Sequence, residues 1–146
     1  MLQNLSCVAY LAAALMYGSG LRSMECLRLR VKDIDFSYNQ ICVRAGKGGK
    51  DRVTPLPATL KEPLRRQLIT VKLLHQQDLH QGFGEVEFPF ALSHKLPNAE
   101  RHWAWQYLFP ASKRSIDPRS RLERRHHIHE SLIQKAVGAA MRSLMT

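Results

Sequence analysis

The apolar positions of the chain change their period several times. From Leu5 to Tyr17 the residues are mostly Ala and Leu with no breaker, which predicts a largely buried helix closed by Gly18. A shorter helical pattern runs from Ser23 to Leu29, with Ser23 as its cap and Met24 and Leu27 on one face. From Asp33 the spacing falls to two. Ile34 and Phe36, then Ile41 and Val43 opposite Cys42, then Val53 and Leu56 read as short strands. The glycines of Gly46-Lys47-Gly48-Gly49-Lys50 supply positive φ for a hairpin between the last two runs. A small three-stranded antiparallel sheet with Lys47 at its tip is expected.

Thr59-Leu60-Lys61-Glu62 has capping-box spacing, and Leu60, Leu64, Leu68, Val71 and Leu74 carry a helical stripe on to about His80. Pro63 falls near the first turn, where it weakens the start without breaking the helix. From Phe83 to Arg125 there is no long period, and Pro89, Pro97, Pro110 and Pro118 punctuate the stretch. Within it Trp103, Trp105, Tyr107 and Phe109 alternate, which places four aromatics on one side if that piece is extended. A last helix is expected from Glu130 to Leu144, with Ile133, Val137, Ala140 and Leu144 on one stripe. The fold class is therefore α+β, mostly helical, with one small sheet.

Composition adds a partner. The 146 residues hold 22 Lys and Arg against 12 Asp and Glu, a formal charge of +10. Clustered cations gain free energy by displacing the counterions condensed on phosphates, so a polyanion is the expected ligand. An acidic membrane surface is the competing reading, weakened because the charges are not segregated along a strongly amphipathic helix. Cys7, Cys26 and Cys42 form no CxxC pair and sit within apolar patterns, as small buried hydrophobes do in a reducing compartment. No Lys or Arg precedes the apolar run Val8 to Tyr17, which is too short to span a bilayer, so a cytoplasmic protein is expected.

Arg22 follows a glycine-containing turn, and Glu25 three residues later could hold its guanidinium. Lys47, flanked by glycines, can approach a backbone phosphate closely, although such a segment is also an ordinary solvated turn. It is no phosphate-binding P-loop, since Arg44 and Asp51 stand where that motif needs Gly and Ser or Thr. His126, His127 and His129 invite a metal reading. Without a cysteine partner or an HExxH spacing, and with adjacent strand histidines pointing opposite ways, no metal or other cofactor is expected.

Taken together, Gly20-Leu21-Arg22-Ser23-Met24-Glu25-Cys26-Leu27-Arg28-Leu29, Val31-Lys32-Asp33-Ile34-Asp35 and Gly46-Lys47-Gly48-Gly49-Lys50-Asp51-Arg52-Val53-Thr54-Pro55-Leu56-Pro57 resemble the opening of the catalytic domain of tyrosine recombinases, the phage-integrase superfamily. The resemblance implies that Arg22 clamps the scissile phosphate and Lys47 protonates the leaving 5′ oxygen. Preorganised cations in a partly dry site stabilise the charge that phosphoryl transfer develops. Lys50 and Arg52 would contact the DNA backbone.

The second half is similar to the insertion characteristic of integron integrases, at about residues 85–127. Phe90-Ala91-Leu92, Trp103-Ala104-Trp105-Gln106-Tyr107-Leu108-Phe109-Pro110-Ala111-Ser112, Asp117-Pro118-Arg119 and Arg124-Arg125-His126-His127 carry that likeness. Integron integrases recognise folded single-stranded attachment sites through bases that protrude from the duplex. By this resemblance Trp105, Pro118, His126 and His127 would contact such bases, with Arg124 and Arg125 at phosphates. Aromatic platforms suit the task, at about 1–3 kcal/mol per stacked base. The aromatics also read as ordinary core, and the basic run as a solvated flank.

The family's second half supplies a His-x-x-Arg box and the tyrosine that attacks phosphorus. No His in these 146 residues has Arg three positions later, and Tyr10, Tyr17, Tyr38 and Tyr107 all match non-nucleophilic segments. The resemblance thus identifies the front part of a catalytic domain. The core-binding domain and the C-terminal catalytic part are absent from the sequence. Such a chain is expected to bind DNA, and to associate with intact integrase protomers, but not to cut or rejoin DNA alone. The apolar faces of its first and last helices would lack some packing partners.

Overall fold

The computed structural model describes residues 2–44, 51–84, 101–118 and 121–145, with side chains described from Val8 to Gly138. Helix α1 covers Leu2–Ser19 and buries Ala9, Ala12, Ala13 and Leu15. It ends two residues later than expected. Gly20, at φ +67°, takes the left-handed position, and the Leu21 N–H reaches back to the Met16 carbonyl at 3.1 Å, a Schellman closure. Gly18 lies inside the helix for a different reason: a Cβ there would fall 2.6 Å from Pro57 Cγ. The same end is stitched to the sheet, since Ser19 Oγ donates to the Pro55 carbonyl at 2.9 Å and Thr54 Oγ1 donates to the Ser19 carbonyl.

Helix α2 is only Ser23–Leu27, and Arg22, in extended backbone, precedes it as the cap residue. Ser23 is not the cap; its hydroxyl instead donates to Glu130 Oε1 at the start of the last helix. Strands β1 (Ile34–Asp35), β2 (Gln40–Val43) and β3 (Arg52–Pro55) form the expected antiparallel sheet in the order β1-β2-β3. Ile34 pairs with Ile41, Ile41 with Thr54, and Val43 with Arg52. Val53 pairs with Cys42 on the outer face and is 58% exposed, while Thr54 takes the inward position of β3. Residues 45–50, with Lys47 and Lys50, lie outside the described residues.

Helix α3 covers Lys61–His80 after a 3₁₀ turn, Ala58–Leu60. Thr59 therefore lies in that turn and caps nothing, and Pro63 sits in the first turn of the helix, where its missing N–H costs little. The buried stripe is Leu64, Gln67, Val71, His75 and Asp78, so its second half is polar. Helix α4, Glu130–Met145, packs across α1 and α2 through Ile133, Ala136 and Val137. Between α1 and α4 an open, mostly apolar cavity of about 600 Å³ is lined by Ala13, Met16, Leu21, Ile133 and Val137 among others.

The stretch after Phe83 holds structure that no periodicity announced. Leu29 to Val31 run antiparallel to Gln106 to Leu108: Val31 N–H donates to the Gln106 carbonyl and Leu108 N–H to the Leu29 carbonyl, both at 2.9 Å. This pairing ends α2 early, at Leu27 rather than Leu29. Farther on, Ala111 N–H donates to the His126 carbonyl at 2.7 Å and Ile128 N–H to the Phe109 carbonyl at 2.9 Å. A two-stranded ribbon, β4 (Ser115–Ile116) with β5 (Glu123–Arg124), closes the segment. Leu108 and Phe109 are fully buried beside Leu15, Leu27, Ile41 and Leu64, so the two halves of the chain share one core.

Candidate nucleic-acid interface

Arg22 stands where α1 ends and α2 begins, exposed at the mouth of the turn that Gly20 makes possible. Glu25 does not hold its guanidinium. One carboxylate oxygen instead accepts the Arg22 backbone N–H at 2.8 Å and the Arg52 Nη2 at 2.8 Å. Burial by itself raises the Glu25 pKa, and the Arg22 N–H with the Arg52 bond and charge outweighs it, leaving the group below its ordinary value. The carboxylate therefore fixes the Arg22 backbone against β3, the strand that begins with Arg52. Among the described residues the Arg22 guanidinium itself makes no hydrogen bond or ion pair. A fixed backbone with an outward-facing cation is what a phosphate clamp needs.

A second group of side chains gathers along the paired segments. Trp103 to Trp105 form a 3₁₀ turn, not an extended strand, so the four aromatics do not share one side. Tyr107 and Phe109 are buried, whereas Trp103 and Trp105 are half-buried. Lys32 Nζ lies 4.0 Å from the centroid of the Trp105 ring, and Arg30 lies 5.6 Å from that ring and 4.7 Å from Tyr107. Arg30 Nη1 also donates to the Trp105 carbonyl at 2.7 Å. On its other side Tyr107 meets His126 and His127 edge-on, with centroids 5.6 and 5.2 Å apart. These two histidines do not point opposite ways. Their ring centroids lie 3.8 Å apart with the planes tilted by 37°, on backbone that at 126–128 pairs with 109–111. The result is an unbroken strip: Lys32, Trp105, Arg30, Tyr107, His127, His126.

The strip ends at a cavity of about 280 Å³ lined by Ser115, Ile116, Asp117, Pro118, Arg124, Arg125 and His126. The two arginines there are differently placed. Arg124 Nη1 is 3.3 Å from Asp117 Oδ2, within the same ribbon. Arg125 grips the buried Asp78 with two parallel bonds of 2.8 and 2.9 Å, and Arg114 Nη1 reaches the same carboxylate at 2.8 Å. Burial raises the Asp78 pKa, and the hydrogen bonds and charges of Arg125 and Arg114 outweigh it and hold the group below its ordinary value. Arg125 thus fastens the aromatic segment to α3, with the remaining donor Nη1 on the Ala111 carbonyl. Its place in the DNA contact set is weakened accordingly. No group of three or more His, Cys, Asp or Glu suited to a metal occurs among the described residues.

Similarity to known proteins bears on what this surface serves. Residues 1–142 match the model of the phage integrase family. The chain belongs to that family. It is 43% identical over 131 residues to an "Integrase/recombinase" of Escherichia coli, and equally to one of Pseudomonas aeruginosa. Each match covers 90% of this chain and 39% of the relative. A "Tyrosine recombinase XerA" of Thermococcus onnurineus is 50% identical over 56 residues, 38% of this chain and 20% of that protein. The chain spans about two-fifths of the length of the integrase relatives it matches.

Within the phage integrase fold of this chain, Arg22, Arg52, Trp105, Pro118, Arg124, Arg125, His126 and His127 are all described. Pro118, Arg124, Arg125 and His126 share one cavity, and His127 adjoins it. Trp105 belongs to the other end of the strip. Arg30 and Lys32 are additions that sequence reasoning missed. Two cations spaced two apart after α2 have no reason to be singled out until residues 29–31 are known to pair with 106–108.

Proposed function

We propose that these 146 residues form the DNA-binding front of a site-specific recombinase of the integron-integrase type, a cytoplasmic protein. On this reading Arg22 clamps the scissile phosphate and Lys47 serves as general acid to the leaving oxygen, assisted at the backbone by Lys50 and Arg52. Trp105, Pro118, His126 and His127 take bases that protrude from a folded single strand. The observation that carries the reading is the strip itself. The half-buried Trp105 with Lys32 and Arg30 at one end, and His126 and His127 at the other, are joined through the buried Tyr107, and this grouping of aromatic, imidazole and cationic side chains suits unstacked bases flanked by phosphates better than it suits a smooth duplex. Family membership and the net charge of +10 support DNA as the partner.

A polypeptide of these 146 residues holds no tyrosine after Tyr107 and no His-x-x-Arg. By itself it therefore binds DNA without breaking it, alone or beside intact integrase protomers. Incubation with a nicked suicide substrate should leave no covalent protein–DNA adduct on a denaturing gel, and an adduct would overturn this. Trp105→Ala should lower the preference for hairpins with a protruding base by about 1–3 kcal/mol while changing plain-duplex affinity little. Equal loss on both DNAs would remove the base-stacking role.

A further inference from the structure

The base platform has a cation parked on it. Lys32 is the middle residue of the 3₁₀ turn Val31–Asp33, and its ammonium sits 4.0 Å from the centroid of the Trp105 ring, in space that a stacked base would need. Three cations crowd this corner, and two of them are held. Arg30 donates to the Trp105 carbonyl at 2.7 Å, and Arg44 pairs with Asp33 Oδ1 at 2.8 Å. The other oxygen of Asp33 accepts the Arg30 backbone N–H at 3.0 Å. Lys32 has no hydrogen bond or ion pair among the described residues; its contact is the indole. Partial burial, then the charge of Arg44, lowers its pKa, with Arg30 adding to the effect and Asp33 opposing it. An anion arriving here would relieve that crowding, and the lysine stem is long and flexible enough to follow it.

We propose that Lys32 is a displaceable cover on Trp105: an incoming nucleobase replaces the ammonium on the indole face, and the ammonium moves to a phosphate flanking that base. This rests on Trp105 being the base platform. One exposed nucleotide is then recognised twice, by its base and by its phosphate. A base held inside a duplex offers the phosphate without the stack, so Lys32 stays on the ring. The pair thus selects for protrusion, a property of DNA shape, and not for base identity.

The test measures Kd of the 146-residue chain for a hairpin with one protruding base and for the same hairpin without it, from 50 to 200 mM salt, the range over which phosphate contacts are read. The proteins compared are the parent, Lys32→Met, Lys32→Arg and Trp105→Ala. Methionine keeps an apolar side chain on the indole, so a mere prop for the ring would survive the change. Lys32→Met should weaken binding to the protruding-base hairpin about tenfold and reduce the magnitude of its log–log salt slope by about 1, leaving the control hairpin unchanged. Lys32→Arg should keep the slope. Control-hairpin binding also reports that each variant is folded. A parent-like salt slope for Lys32→Met, or a loss equal on both hairpins, overturns the inference. If Trp105→Ala abolishes the preference while Lys32→Met keeps the slope, the inference fails alone. If Trp105→Ala leaves the preference intact, the platform reading fails and the inference with it.

Discussion

Asp78 decides whether the aromatic segment stays attached to α3. With Arg125 on both its oxygens, Arg114 on one and its side chain 6% exposed, it is the shared ion-pair partner of two guanidinium groups that have little water around them. Asp78→Ala would leave Arg125 without its carboxylate and Arg114 with only the more exposed Glu123 at 3.9 Å, and a loss of about 3–5 kcal/mol is expected in chemical denaturation. The pH dependence has two steps, both with stability falling toward acid. His75 is buried, with Nδ1 lacking a hydrogen-bond partner, and burial chiefly lowers its pKa from the ordinary 6.5. Below that value the unfolded chain takes up a proton that the folded histidine resists, so stability declines. Asp78, also lowered, contributes fully above its ordinary 3.8 and loses that contribution as pH falls through its still lower folded value. Melting temperatures from pH 8 to 3 should show both steps, and His75→Gln should remove the first. A parent-like first step in that variant would assign it elsewhere. Cys26, pushed up to about 12 by burial, should stay unreactive to thiol reagents in the folded protein.

Among the elements, α1 packs closely on the link after β3, where Gly18 faces the Pro57 ring. Alanine at position 18 would by helix propensity alone stabilise by about 1 kcal/mol. Here its Cβ would lie 2.6 Å from a proline ring, so the clash should win. Gly18→Ala is expected to lower stability by about 1–3 kcal/mol, with the Pro57→Ala background restoring most of it. How much was legible beforehand follows from what each element repeats. Helices α1, α3 and α4 and the three-stranded sheet repeat an apolar period long enough to read. The 29–31 and 106–108 pairing does not: it is three residues long, and Tyr107, Leu108 and Phe109 are buried on both faces, which erases alternation. Arg22, Trp105, Pro118 and His126 were legible as motif residues. That Arg125 would be spent on Asp78 was not, because the partner lies 47 positions away.

For the whole molecule, the proposed DNA binding makes charge the governing quantity. Binding to plain duplex should weaken linearly in log–log salt, with a slope of about −3 or steeper if several of its cations meet phosphates. A flat dependence would mean that the net charge of +10 is spread over surfaces that never touch DNA. Among the described residues no helix is long and apolar enough to cross a membrane. The anchoring of residue 105 reaches beyond this chain. It is held through its main chain, with the Arg30 guanidinium on its carbonyl and the neighbouring backbone paired to residues 29–31. The socket therefore does not depend on the indole that fills it. Phenylalanine, tyrosine or histidine could be exchanged there without dismantling the mount, so the proposed base platform would act as an interchangeable tool head for selecting variants with altered DNA-shape preference.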